Sequence, residues 1–150
     1  MITRFKDGYY FLSNYFPSEI WLGGRRYPTV EHFYQANKAD SFQAHKYISD
    51  AKTPGEARDN ANEITIRHDW DAVRIPIMRL GLILKFDIEE LGDMLLNTGI
   101  QEIVSDSGTF WGLQNGIGEN HLGKLLMEVR DQVIERRILQ TTYIGIHNVN

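Results

Sequence analysis

Tyr27-Pro28-Thr29-Val30-Glu31-His32-Phe33-Tyr34-Gln35-Ala36-Asn37-Lys38 reads as the opening of a helix. Thr29 is a good N-cap, its hydroxyl able to accept an early backbone N–H, and Pro28 before it fixes how the chain enters. At helical spacing Glu31, Gln35 and Lys38 share one face, four and then three residues apart. An acid, an amide and an amine thus line up beside a Phe-Tyr pair suited to anchor the helix in a core. Glu31 lies in the first turn, where the helix dipole favours an ionised carboxylate. Two readings fit: a solvated surface helix with buried aromatics behind it, or a polar face built for chemistry.

Outward from this helix, the chain divides into short elements. Tyr9-Tyr10-Phe11-Leu12 is β-prone. Glu19-Ile20-Trp21-Leu22 and Arg25-Arg26-Tyr27 are joined by Gly23-Gly24, a strong two-residue hairpin signal. Downstream, Asp40 or Ser41 caps a helix running to about Ala51. Thr53-Pro54-Gly55-Glu56 is a capping box with proline at the first helical position. Asp69 caps a helix from Trp70 that Pro76 is expected to split or kink before Lys85. Asp87-Ile88-Glu89-Glu90 caps another, ending near Asn97 to Gly99. Glu102-Ile103-Val104 reads as a short strand, followed by a glycine- and aromatic-rich loop from Ser105 to Glu119. Asn120 caps a last long helix with Leu122, Leu125, Leu126, Val129, Val133 and Ile134 on its buried side. Tyr143-Ile144-Gly145-Ile146 gives a weak strand signal in a tail expected to be mobile. The expected fold is α+β: a mostly helical single domain spanning 1–150, with a core of about 5–138, a tail of 139–150, and a small antiparallel sheet near the start.

Composition narrows the function. The 150 residues are 42% hydrophobic and 24% charged, ordinary for a globular protein. With no cysteine, disulfides, thiol nucleophiles and thiolate metal sites are excluded, and a reducing, cytoplasmic setting fits. No stretch is apolar for long enough to span a membrane, since Pro76, Arg79 and Lys85 break the run from Ile75 to Phe86, and no leading segment resembles a signal peptide. A net charge of −4 argues against extended duplex DNA binding but leaves room for a local basic pocket.

The five histidines, His32, His45, His68, His121 and His147, show no short metal-binding spacing, so no metal and no cofactor are expected. There is no phosphate-cradling glycine loop, no dinucleotide fingerprint and no nucleophile-elbow serine. The segment Thr109-Phe110-Trp111-Gly112 to Gly118-Glu119-Asn120 is more suggestive. It places two aromatics between glycines and leads into a helix N-terminus, so it offers flat faces to a base and free N–H groups to an anion. A glycine-rich turn with Trp111 in the core reads equally well. Likewise, in Arg67-His68-Asp69-Trp70, Trp70 serves as core anchor and Asp69 as cap, or Arg67 holds a phosphate.

Taken in order, Phe11-Leu12-Ser13-Asn14-Tyr15-Phe16-Pro17, Tyr27-Pro28-Thr29-Val30-Glu31-His32, Tyr34-Gln35-Ala36 with Lys38, Arg67-x-Asp69-Trp70, Lys85-Phe86, Phe110-Trp111-Gly112 and Gly118-x-Asn120-x-Leu122-Gly123-x-Leu125-Leu126-Met127-x-Val129-Arg130 form a specific set. Through them the chain resembles the NADAR superfamily, named for association with NAD and ADP-ribose, which includes the YbiA-like N-glycosidases. The resemblance runs from about Phe5 to Arg130. It implies cleavage of a bond between ribose C1 and a nitrogen. Two substrate classes go with it: ADP-ribose on guanine in DNA or a nucleotide, and the phosphoribosylamino-pyrimidine intermediates of riboflavin synthesis. The first is preferred because the chain carries no fused biosynthetic partner. A non-catalytic module that binds ADP-ribose or NAD is the alternative of another class.

On this resemblance Glu31 stabilises positive charge on the sugar and activates water. Lys38 orients the substrate, contacts phosphate, or forms an imine with the open-chain sugar. Trp70, Phe110 and Trp111 stack on base or ribose, with Asp69 beside Trp70. Arg67 and Lys85 bind phosphate, and Asn14, Gln35 and Asn120 hydrogen-bond the substrate. The family's acid after the strand near Val104, and its aspartate two positions before the aromatic pair, appear here as Ser105 and Gly108. Asp106 is the acid that stands closest to these places, and it is the third catalytic candidate.

Overall fold

The computed structural model describes residues 1–148. Seven helices and one two-stranded antiparallel sheet follow one another among these residues, the mostly helical α+β architecture that the sequence predicts. The chain forms two compact units: Arg4–Lys85, and Met1–Thr3 with the chain from Phe86 onward.

In the first unit, strands β1 (Ile20–Leu22) and β2 (Arg25–Tyr27) pair in the register Ile20 to Tyr27 and Leu22 to Arg25. Gly23 and Gly24 both have positive φ, 59° and 77°, the two-residue turn whose twist matches the strands it joins. Helix α1 (Val30–Ala36) follows, capped by Thr29, and all seven of its residues are buried. Helices α2 (Phe42–Ser49, capped by Ser41) and α3 (Pro54–Ala61, capped by Thr53 with proline in the first turn) pack on it. Helix α4 (Trp70–Phe86) crosses close to α1 at Gly81, where a Cβ would stand 2.9 Å from the Phe33 ring.

In the second unit, α5 (Glu89–Leu96) and the short α6 (Gly108–Trp111) pack on α7 (His121–His147). Leu122, Leu125, Leu126, Val129 and Val133 form the buried stripe of α7, as their spacing predicts.

Several expectations are corrected. Tyr9–Leu12 is no strand: Asp7–Leu12 winds as a 3₁₀ segment. The neighbours Phe11 and Leu12 are both buried, which a strand, with its alternating faces, cannot provide on one side. Pro76 does not split α4, which runs unbroken through it. Glu102–Val104 makes one parallel bridge, Ile103 to Ile2, because the facing segment is too short to extend a ladder. Ile2 N–H donates to Glu102 O and Val104 N–H to Ile2 O, each at 2.8 Å. Asp87 does not cap α5. Ile88 holds the cap position, and the Asp87 carboxylate pairs with Arg136. Ile134 is 41% exposed, off the stripe of α7. The tail is helical rather than strand-like: α7 continues through Tyr143 and Ile146 to His147, because Thr141 and Thr142 fold their hydroxyls back onto the carbonyls of Arg137 and Ile138 and leave the helical ladder intact. Val149 and Asn150, the last two residues of that expected tail, lie outside the described residues.

Candidate functional site

The site begins with the cap of α1. Thr29 sits in extended backbone, so its Oγ1 accepts the His32 N–H at 3.1 Å. The same hydroxyl lies 2.8 Å from His32 Nδ1, while His32 Nε2 lies 3.0 Å from the Ala51 carbonyl. The arrangement closes if Nε2 carries the proton and the threonine hydroxyl donates to Nδ1. Burial pushes the imidazole below its ordinary range, keeping it neutral. His32 is therefore a pin that fixes the rotation of α1 rather than a ligand or base.

With α1 pinned, Glu31 turns into the unit's interior and is only 8% exposed. Its N–H donates to the Asn14 carbonyl at 3.1 Å. Its Oε1 accepts from Gln35 Nε2 at 2.7 Å, one helical turn on, as the spacing predicts. Burial raises the carboxyl above the usual carboxylate range, and the Gln35 hydrogen bond and the charges of Arg58 and Lys38 partly hold it back. A carboxylate so raised accepts a proton more readily than an ordinary one, as a general base must.

Gln35, bonded to this acid, and Asn14, whose backbone carbonyl receives the Glu31 N–H, each carry a buried amide. Gln35 is 5% exposed, and its Oε1 meets no donor among the described residues. The Asn14 side chain places Nδ2 3.5 Å from Met78 Sδ, and its Oδ1 is likewise buried without a donor. Such carbonyls cost about 1–3 kcal/mol each when left unmatched.

Lys38 lies just beyond α1, which ends at Ala36 with Asn37 as its C-cap. Backbone bonds hold it in the turn: its N–H donates to Gln35 O at 3.1 Å and its carbonyl accepts from Arg67 N–H at 2.9 Å. Its ammonium lies 5.5 Å from the Tyr34 ring centre and 5.8 Å from that of Trp70, two rings 5.1 Å apart. Burial lowers its pKa, the Glu31 charge opposes this, and Arg58 adds to it. Arg67 is forked onto Asp69, Nε to Oδ1 at 2.6 Å and Nη2 to Oδ2 at 3.0 Å. That pair holds the Asp69 carboxyl below its usual range. Asp69 is thus spent on Arg67 rather than standing as a lone cap, and Arg67 already has an anionic partner.

Lys85 is corrected. It is 0% exposed, donates to the Ser13 carbonyl at 2.8 Å and lies 5.6 Å from the Phe16 ring centre. Burial lowers its pKa to about 7. It braces the segment carrying Asn14 from inside and has no surface to offer a phosphate.

Sequence reasoning missed Arg58 and Tyr15. Arg58 lies near enough to both Tyr15 and Glu31 to feel their electrostatic influence. Arg58 reads in sequence only as a basic residue near the end of α3, and nothing in the spacing links it to residue 31.

The other expected residues belong to the second unit. Phe110 and Trp111 meet edge to face at 4.9 Å, and His121 stands 4.5 Å from Phe110 and 2.8 Å from the Glu119 carboxylate. Asp106 is exposed, and its backbone carbonyl accepts from Gly108 N–H at 3.0 Å. Asn120 is buried, and both ends of its amide are engaged: Oδ1 accepts from Ser105 N–H and Nδ2 donates to Ile103 O, each at 3.0 Å. Its expected side-chain cap on α7 is absent because its backbone is left-handed, φ 51°, not extended. Among the described residues no three His, Asp or Glu groups stand close enough to hold a metal ion, and no helix is long and apolar enough to cross a membrane.

The NADAR domain profile matches residues 3–134. The chain belongs to the NADAR domain family. It is 38% identical to an N-glycosidase of Nostoc punctiforme, over 88% of this chain and 89% of that protein. It is 35% identical to a riboflavin biosynthesis protein of Vibrio vulnificus, over 83% of this chain but 36% of that longer protein. The NMR structure of the Escherichia coli protein YbiA superposes with a TM-score of 0.82 at 30% identity, covering 91% of this chain and 86% of that one. Its NADAR relatives of like length are named N-glycosidases, a hydrolase activity, and this chain is an enzyme of that class.

Proposed function

We propose that this NADAR protein hydrolyses the bond between C1 of a phosphorylated ribose and a nitrogen of a base, and that its substrate is ADP-ribosylated guanine, as a nucleotide or in DNA. The observation that carries the reading is Glu31: a buried acid of raised pKa, hydrogen-bonded to Gln35 and set in the field of Lys38 and Arg58.

As the C1–N bond breaks, its electron pair leaves with the base and positive charge gathers on the sugar. The ionised Glu31 carboxylate stabilises that charge and accepts a proton from the water whose oxygen bonds to C1. The proton then passes to the departing nitrogen, so that base and free sugar phosphate are the products. Lys38 and Arg58 supply positive charge for phosphate oxygens, and Trp70, beside Tyr34, supplies a flat face for base or ribose.

Support for guanine-linked ADP-ribose comes from the motif resemblance, and support for the reaction class from the like-length relative named N-glycosidase. A second reading, hydrolysis of phosphoribosylamino-pyrimidine intermediates, is favoured by the relative named for riboflavin biosynthesis. A side-by-side assay with ADP-ribosyl-guanosine and such an intermediate separates them. The first reading expects guanosine and ADP-ribose as products; release of ribose 5-phosphate alone selects the second. Neither assay tests the proposed location of the site, which the Glu31→Gln variant does.

A further inference from the structure

Two amides of this unit, Gln35 on α1 and Asn14 on the segment bonded to its first turn, each engage only their NH₂ end. Gln35 turns its NH₂ end onto the Glu31 carboxylate at 2.7 Å, and Asn14 turns its NH₂ end toward Met78 Sδ at 3.5 Å. In each, the carbonyl end is the one left buried, and neither Gln35 Oε1 nor Asn14 Oδ1 meets a donor among the described residues. The Gln35 orientation is imposed, because the reverse would press its carbonyl oxygen against an ionised carboxylate. Asn14 is tied to the same spot through its backbone, whose carbonyl accepts the Glu31 N–H at 3.1 Å.

Unmatched acceptors specify the chemistry of what they bind. A phosphate oxygen or a carboxylate placed against either carbonyl is repelled, and the carbon face of a base gains nothing there. A hydroxyl group supplies the missing donor. If Glu31 faces C1, the Gln35 carbonyl, held to it by one short hydrogen bond, falls beside the substituent on the adjacent carbon. Hydrogen bonds to a 2-hydroxyl strengthen as charge develops on a sugar ring, so such a contact contributes to rate as well as affinity.

Resting on the N-glycosidase reading above, we infer that Gln35 and Asn14 read the hydroxyl groups of the sugar whose C1–N bond is cleaved, Gln35 the 2-hydroxyl, and make the enzyme selective for ribose over 2-deoxyribose. A site whose buried polar group is left unpaired by a missing hydroxyl rejects that analogue strongly.

The experiment compares kcat/KM of the wild-type protein on ADP-ribosyl-guanosine and on the same compound with 2-deoxyribose at the scissile position. The expected preference for ribose is on the order of 10² or more. In Gln35→Met, both substrates fall through the lost hydrogen bond to Glu31, but the ribose substrate falls further, bringing the ratio below about tenfold. Wild-type rates on the two sugars within about threefold of each other overturn the inference while leaving the N-glycosidase reading standing, whatever the variant does. A Gln35→Met protein that loses both substrates by the same factor also overturns it, since a purely structural glutamine behaves that way. The inosine counterpart, lacking the exocyclic amine, is the third arm: if it is the poor substrate and the deoxyribose compound a good one, the carbonyls read the base and the inference fails. Wild-type protein inert on every arm overturns the ADP-ribosylguanine reading and this inference with it.

Discussion

Thr29 and Asn120 announce helix starts in the same way in sequence, yet they do different things. Thr29 lies in extended backbone, φ −147° and ψ 164°, and turns its hydroxyl onto the first turn of its own helix. Asn120 lies in the left-handed region, so its amide points away from α7 and joins Ser105 to Ile103. The first side chain serves a short helix whose every residue is buried and to which the proposed chemistry is assigned. The second serves a stretch of chain fifteen to seventeen residues upstream. A capping residue in sequence thus marks where a helix begins, while its backbone conformation decides what its side chain holds.

The largest expected effect lies on the α1 side. Glu31→Gln keeps the hydrogen-bonding partner for Gln35 but removes the base, and kcat is expected to fall by about 10²–10⁴ with little change in melting temperature. A variant retaining near wild-type turnover would remove α1 from the chemistry. On the α7 side, Asn120→Ala leaves the Ser105 N–H and the Ile103 carbonyl buried and unmatched, and urea unfolding should show a loss of about 2–3 kcal/mol. A loss no larger than that of an ordinary cap would mean that Asn120 works on its helix after all.

A pH series probes the brace behind α1. Lys85 falls from its ordinary value to about 7 on folding. Between that value and the ordinary one the unfolded chain binds the extra proton, so stability rises with pH through this window and is lowest below it. The gain from pH 7 to pH 9 is expected to be on the order of 2 kcal/mol, with half-buried Lys38 adding in the same direction. Lys85→Met should flatten the profile; an unchanged slope assigns the titration elsewhere. Thr29→Ala removes a cap and the hydroxyl facing His32, and calorimetry should show about 1–2 kcal/mol of destabilisation. Smallest of all, Arg136→Ala breaks an exposed pair with Asp87 and is expected to change stability by less than about 0.5 kcal/mol.

What the sequence makes legible is local. The Gly-Gly turn, the caps at Thr29, Ser41 and Thr53, and the buried stripe of α7 each follow from a few adjacent residues. The Glu31–Gln35 hydrogen bond follows from a spacing of four. The misread elements depend on distant partners. Ile103 finds its single bridge at Ile2, and the β-prone Tyr9–Leu12 segment winds up because Phe11 and Leu12 are needed on the same side. Likewise, the Lys85 ammonium is internal because a carbonyl 72 residues earlier receives it. Arg58 enters the field of Glu31 from a separate helix, α3.

The chain between Ile103 and Gly123 is threaded without clearance. A methyl group at Gly112 would stand 2.1 Å from Ser105 O, one at Gly118 2.2 Å from Gly112 O, and one at Gly123 2.2 Å from Ile103 O. Each obstruction is main chain, which no rotamer change relieves. Mutational scanning across this stretch should therefore find three positions that admit no second residue, interleaved with displayed positions such as Asp106 and Thr109 that accept many. Substitution here is expected to spare the three points where main chain meets main chain.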